Sequence, residues 1–314
     1  MGILIDGKWI DDEESYRKDG AFVRPATAFR AFITADGSSA FPAAAGRYHL
    51  YVARPCPWCH RTMILRALKK LEGVVSMSLV EPLLLAGGWK FAAPDPITGA
   101  GFVHELYTKA DPHYSGRVSV PVLWDKKTGT IVSNESSDII RMFNSAFGAF
   151  TGDRTDYYPA ALRAEIDTVN ARVYDTLNNG VYRCGLATAQ AVYDQTVSEL
   201  FATLDWLEAR LSKQRYLAGH QITEADWRLL PTLLRFDVAY FSIFKCNRQR
   251  IADYPNLSNY MRELYQAPGV AETVKPRYYV INYYSIPRVN PTLIIPKGTP
   301  VDLGQPHDRE RLAA

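Results

Sequence analysis

Cys56-Pro57-Trp58-Cys59 is the stretch of this chain whose residue types and spacing point most directly to chemistry. It follows a short β-prone run, Tyr48 to Ala53. It precedes a helical period of apolar residues at Met63, Ile64, Leu65, Leu68 and Leu71, which Gly73 is expected to stop. A thiol between a strand and a helix meets the unpaired N–H groups and the dipole of the helix N-terminus. Such surroundings lower a thiol from a pKa near 8.5 to roughly 3.5–7.5. Arg54, His60 and Arg61 add positive potential. Cys56 is therefore the expected nucleophile. Cys59, one turn on, would point partly inward and could resolve a mixed disulfide. The other cysteines, Cys184 and Cys246, stand alone, so half a zinc site is the weaker reading and no metal is expected. A thioredoxin-type dithiol shuttle is the stronger rival.

Composition narrows the classes. The 314 residues suggest two domains, and 47% apolar with 22% charged residues is the globular range. A net charge of +3 with no basic block gives no sign of a nucleic-acid or membrane-surface partner. No stretch reaches the ~18–20 apolar residues of a transmembrane helix. No signal-peptide pattern opens the sequence, and four cysteines are too few for a disulfide scaffold. A reducing, cytoplasmic setting is expected. Tyrosine is over-used, with 19 Tyr against 13 Phe. An apolar ring with a polar tip suits a half-wet pocket as well as a core.

The elements that must position Cys56 follow in order. Residues 1–43 read as an extension. Residues 44–150 then read as β-α-β, a hairpin and a closing helix, the order of a thioredoxin-like domain. Within it, Val74 to Leu85 is a second strand, and the Gly/Pro-rich stretch from Ala86 to Pro112 reads as an inserted loop. Pro121 interrupts the strand Val118 to Trp124, where a cis bond would fit. Asp125 to Gly129 turns into Thr130-Ile131-Val132, and Glu135 to Phe147 is helical. Residues 151–276 carry long helical periods, Ala160–Leu177, Ala187–Ser212, Thr223–Phe241 and Leu257–Tyr265. Thr223 and Asp226 form a capping box at the start of one of them. Residues 277–314 read as an ordered extension with a frayed end. The fold class is thus α+β: an N-terminal thioredoxin-like domain, then an all-α C-terminal domain, a combination that resembles the glutathione transferase architecture, with extensions at both ends.

Longer segments sharpen this. Arg54 to Arg61, Gly87-Gly88-Trp89, Ala110 to Asp125, Ser133 to Ser137 and Asn178 to Tyr182 resemble the glutathionyl-hydroquinone reductases, the Xi class of glutathione transferases. So do Arg235-Phe236-Asp237, Phe244 to Asn247 and Ile294 to Gly298. The resemblance runs in order from about residue 40 to 300. It implies glutathione as co-substrate, a homodimer, and reduction of glutathionyl-hydroquinones through a Cys56–glutathione mixed disulfide that a second glutathione resolves to GSSG. It also implies that Cys59 is dispensable. Two alternatives stay open: a general thioltransferase or dehydroascorbate reductase of omega-like type, and a non-catalytic carrier of aromatic ligands.

Glutathione needs three anchors. Glu135 and Ser136, at a helix start, would take the charged γ-glutamyl end. Val120, before Pro121, would pair with the cysteinyl backbone like a strand. Trp89 resembles the tryptophan with which the family binds glutathione, and Arg117 is a candidate cation for the glycyl carboxylate. The hydroquinone ring needs an apolar slot with polar tips. Tyr182, Tyr240 and Tyr283 lie in segments that resemble those lining the family's acceptor site, with Tyr174 and Tyr284 as alternatives.

Overall fold

The computed structural model describes residues 2–11, 16–298 and 302–312. Among the described residues of the first 43 are six short strands: β1 (Gly2–Ile5), β2 (Lys8–Asp11), β3 (Arg17–Lys18), β4 (Ala21–Phe22), β5 (Ile33–Thr34) and β6 (Phe41–Pro42). The chain divides into two compact units. One holds the described residues up to Tyr16 together with Arg24–Thr155. The other holds Arg17–Val23 and the described residues from Asp156 onward. The amino-terminal residues are therefore shared between the units.

In the first unit a four-stranded sheet carries the site. After β7 (Tyr48–Val52) come α1 (Pro57–Leu68), β8 (Ser76–Leu79), α2 (Val103–Ala110), β9 (Gly116–Arg117), β10 (Val122–Asp125), β11 (Thr130–Ser133), α3 (Ser136–Ser145) and the single turn α4 (Gly148–Thr151). The sheet order is β11-β10-β7-β8. β7 and β8 are parallel, while β10 is antiparallel to both β7 and β11. All five residues of β7 are buried, as a central strand covered on both faces requires. One of them is His49. Its ring nitrogens meet the Ser76 and Ser78 hydroxyls at 2.7 and 2.9 Å, alternate residues of the neighbouring strand. A second sheet, β2-β1-β9, lays the amino-terminal hairpin against Arg117 (Ile3 opposite Arg117).

Two details correct the sequence expectations here. α1 ends at Leu68, before Gly73. Lys70 takes the left-handed conformation (φ 55°), and the Leu71 amide closes on the Arg66 carbonyl at 2.9 Å, so a lysine does the work expected of the glycine. The segment Ala86–Pro112 is not all loop. α2 buries Val103, Leu106 and Tyr107, an i, i+3, i+4 stripe too short to stand out beside the glycines and prolines before it.

The second unit is helical: α5 (Arg163–Val173), α6 (Gly180–Leu186), α7 (Gln190–Leu211), α8 (Glu224–Arg235), α9 (Phe241–Ile243), α10 (Pro255–Gln266) and α11 (Pro276–Tyr284). Widened π-type turns, Tyr174–Asn178 and Phe236–Tyr240, join α5 towards α6 and α8 to α9. The capping box of α8 is present: the Asp226 carboxylate accepts from the Thr223 amide at 2.7 Å. The tail departs from the frayed end expected of it. Arg309 is fully buried and donates to the carbonyls of Leu211, Gln214 and Arg215 at 2.6–2.8 Å. It thereby satisfies the last carbonyl of α7, at Leu211, and two carbonyls of the turn that follows.

Candidate active site

Cys56 occupies the N-cap of α1 in extended geometry, and Pro57 follows at the first helical position, where its missing N–H costs nothing. The thiol is part-exposed and donates to the Val120 carbonyl at 3.7 Å. Val120 is buried, and the Val120–Pro121 bond is cis. The nucleophile candidate and the strand-like backbone candidate therefore meet. Cys59 is different from the expectation of a partly inward resolver. It is fully buried, and its sulfur accepts from the Ala53 amide at 3.4 Å. A thiol enclosed in this way is a packing group. Cys184 and Cys246 are buried too. Burial, and then the adjacent Cys184 thiol, push the Cys246 thiol well above its usual value, which keeps it unreactive.

Glu135 caps α3, where its carboxylate accepts from the Ser137 amide at 3.0 Å and the Ser137 hydroxyl at 2.9 Å. Burial alone would raise this carboxyl. The two Ser137 bonds, with Arg61 and Arg30, outweigh burial and hold it below its ordinary value. A permanent carboxylate thus stands beside open helix N–H groups, a pairing suited to an ammonium and a carboxylate on one ligand. Ser136 is buried and takes a 3.4 Å contact from the Arg61 guanidinium, which also lies over the Trp58 ring at 4.5 Å. Arg61 therefore connects the two helix starts, a role its place in the sequence did not disclose.

The amino-terminal segment supplies further neighbours that sequence reasoning missed. Thr27 donates to Glu135 at 3.3 Å, Arg30 pairs with Asp138, and Arg24 lies over Trp58 at 4.9 Å. The first two contacts span 108 residues of sequence, and the third joins the amino-terminal segment to α1, so no local signal could announce them. Arg117 is half-buried on β9, its guanidinium 5.2 Å from the centre of the Tyr16 ring. Burial first, and then Arg24, lower it to about 10, while Tyr16 and Cys56 act in the opposite sense. It stays a cation at neutral pH and feels the Cys56 sulfur. Trp89 is half-buried in the loop ahead of α2. Its carbonyl accepts the first amide of that helix at 2.9 Å. Tyr107 and Asn134 brace the proline loop: Tyr107 donates to the Ser119 carbonyl at 2.8 Å and accepts from Asn134 at 2.9 Å.

In the helical unit, Tyr182, Tyr240 and Tyr283 come together. The Tyr283 hydroxyl lies 2.6 Å from that of Tyr182 and 2.8 Å from that of Tyr240. Phe244 stacks on Tyr240 at 5.5 Å and meets Tyr182 and Tyr283 edge-on. The alternatives lie outside this triad: Tyr174 sits in the first π-type turn, and the Tyr284 hydroxyl bonds to Ser242. Among the described residues no group of three or more His, Cys, Asp or Glu is placed to hold a metal ion.

A thioredoxin-like unit with a helix-capping cysteine beside a cis-proline, paired with a helical unit, defines the glutathione transferases with a cysteine at the active site. The glutathione S-transferase N-terminal domain family matches residues 55–146, and the C-terminal domain family matches residues 190–263. Similarity also extends over whole chains. The glutathionyl-hydroquinone reductase YqjG of Escherichia coli K12 is 50% identical over 99% of both chains, and PcpF of Sphingobium chlorophenolicum is 50% identical over 95% and 96%. The glutathione-bound structure of YqjG superposes with a TM-score of 0.90 at 48% identity, covering 98% of this chain and 99% of that one. A Xi-class transferase from Natrialba magadii gives 0.95 at 43% identity, covering 99% and 98%. The chain belongs to the glutathione transferase family, and within it to the glutathionyl-hydroquinone reductases of the Xi class.

Proposed function

We propose that this chain reduces glutathionyl-hydroquinones with glutathione. The Cys56 thiolate attacks the glutathione sulfur of the substrate. The carbon–sulfur bond breaks, its electron pair passes to the ring, and the hydroquinone leaves after taking a proton. Cys56 is left as a mixed disulfide with glutathione. A second glutathione attacks that disulfide, releases GSSG and restores the Cys56 thiol. A serine or tyrosine could activate glutathione for conjugation, but could not accept its sulfur. The observation that carries the reading is therefore a cysteine at the N-cap of α1, in a chain half identical along its whole length to named reductases.

In this reading residues 44–150 bind glutathione. Glu135 and Ser136 take the γ-glutamyl end, Val120 the cysteinyl backbone, and Trp89 and Arg117 the glycyl end. Residues 151–276 and the tail 277–314 supply Tyr182, Tyr240 and Tyr283 for the ring. The protein works as a cytoplasmic homodimer. Among the described residues no helix is long and apolar enough to cross a membrane.

The test is direct. The protein is incubated with glutathione and a glutathionyl-hydroquinone, and free hydroquinone is followed by chromatography. Steady release of hydroquinone with matching GSSG is the expected result. No release, while a small mixed disulfide is reduced well, would establish the thioltransferase reading instead.

A further inference from the structure

The hairpin of β1 and β2 closes on a two-residue turn. Asp6 and Gly7 take φ values of 48° and 71°, with Ile5 opposite Lys8. Positive φ at both positions matches the twist of the paired strands. The tip is tied to the residues that lead into β9. The Asp6 amide donates to the Ser115 hydroxyl at 2.8 Å, and the Gly7 amide donates to the Tyr114 carbonyl at 3.0 Å. Behind the tip, Ile3 and Leu4 stand opposite Arg117 and Gly116. β1 is the middle strand of its sheet, so it holds the backbone of Arg117 on one side and β2 on the other.

β2 meets the turn that leads into Trp89. Gly87 and Gly88 stand in that turn at φ 82° and 86°. Two successive glycines impose no conformation of their own, because each populates positive and negative φ about equally. Contacts from outside must therefore set the turn. The Asp11 carboxylate accepts from the Gly87 amide at 3.1 Å and from the Trp9 indole N–H at 3.1 Å. The Trp9 ring covers Gly88 so closely that a Cβ there would lie 2.9 Å from it. His104 completes the frame: its Nδ1 donates to the Gly87 carbonyl at 3.0 Å, and its ring stacks on Trp9 at 4.8 Å and on Phe102 at 5.2 Å. Asp11 is exposed and Trp9 half-buried. An exposed carboxylate bonded to an amide 76 residues away fixes a turn and not a core. On the far side of Trp89, its own carbonyl is held by the Val103 amide at 2.9 Å.

We propose that the β1–β2 hairpin sets the selectivity for the glycine of glutathione, with Trp9 and Asp11 as positioning residues for Trp89 and the β1 backbone as the support of Arg117. This rests on the proposed function, in which Trp89 and Arg117 take the glycyl end. A carboxylate shared by a cation and a second group needs both at fixed places, because a charge-assisted hydrogen bond weakens steeply when it is misaligned. Trp89 lies in a loop and Arg117 on a two-residue strand. The hairpin touches the turn before the one and pairs with the other, so a single element sets both. The γ-glutamyl end is assigned to Glu135 and Ser136 at the start of α3, outside this sheet. The grip on the glycine can therefore change while the grip on the rest of the ligand stays.

The experiment titrates glutathione and γ-glutamylcysteine, the same thiol without its glycine, into the reduced full-length protein by calorimetry. The parent is expected to bind glutathione about tenfold tighter, the scale of one charge-assisted contact. Asp11→Ala and Trp9→Ala should each remove most of that preference by weakening glutathione, with the affinity for γ-glutamylcysteine unchanged. Equal loss of affinity for both ligands overturns the inference, and so does an undiminished preference in a folded variant. If Trp9→Ala does not fold, the exposed Asp11 position decides by itself. Trp89→Ala separates the inference from the reading beneath it. If that variant keeps the full preference, or if the parent has none, the assignment of Trp89 to the glycyl end has failed. If it loses the preference while Asp11→Ala keeps it, only the positioning role of the hairpin has.

Discussion

At the scale of single residues, exposure separates the two cysteines of the motif. Cys56 is part-exposed at a helix start, whereas Cys59 is enclosed and bonded to the Ala53 amide. Cys56→Ala should abolish hydroquinone release, and Cys59→Ser should keep more than half of it. Equal loss in both, measured by the same chromatographic assay, would mean a dithiol mechanism. Glu135 makes a second prediction. Replacing the carboxylate by Gln removes a charge-assisted partner for an ammonium, worth about 1.5 kcal/mol, so KM for glutathione should rise about tenfold with kcat little changed. The pH dependence has a definite sign. The carboxyl is held below its ordinary value, so its ionised form persists on acidification, and binding weakens only as pH falls through that lowered pKa. Glutathione affinity by calorimetry should therefore be flat from pH 7 to about 5.

At the scale of elements, the strand at the centre of the sheet carries its own acid switch. His49 on β7 is lowered to about 4, chiefly by burial, with Lys126 and Arg66 adding to the shift and Asp95 opposing it. The unfolded chain, near 6.5, binds a proton that the folded chain refuses between those values. Stability is complete above about 6.5 and falls as pH drops towards 4, by up to about 3 kcal/mol. Denaturant titrations at pH 7 and 4.5 should show a smaller difference for His49→Gln than for the parent. Elements also show what local sequence encodes. The capping box at Thr223 and Asp226, the helix after Glu135 and the proline in the Val118–Trp124 segment are short-range patterns, and each stands where expected. α2 was not legible, because an eight-residue amphipathic stripe gains its stability from the core it covers rather than from its own propensity. The π-type turns before Tyr182 and at Tyr240 were hidden for a related reason: a helical period looks continuous in sequence when one extra residue is absorbed.

At the scale of the chain, both terminal segments are built into compact units instead of trailing from them. Ile3 and Leu4 of β1 pair with β9, and Arg17–Val23 belong to the helical unit, where the Thr188 amide donates to the Gly20 carbonyl at 3.0 Å. Arg309 ties the tail to the last residue of α7 and to the turn after it through three carbonyls. Arg309→Ala would leave those acceptors without the cation and open a cavity around it. A loss of about 2–4 kcal/mol is expected, read as a lowered midpoint in thermal unfolding. An unchanged midpoint would mean that the tail end contributes nothing to the helical unit.

What the sequence determined by itself is the chemistry that depends on neighbours along the chain. A cysteine before a proline at a strand–helix junction, an acidic cap ahead of a serine and a valine before a proline each owe their meaning to the next few residues, because capping and turn geometry are local. The family resemblance named Tyr182, Tyr240 and Tyr283 as a set. Only the tertiary structure brought their hydroxyls within hydrogen-bond distance across as many as 101 residues, and enclosed Cys59 while leaving Cys56 part-exposed. Burial and charge act through space, and separation in sequence carries no record of either.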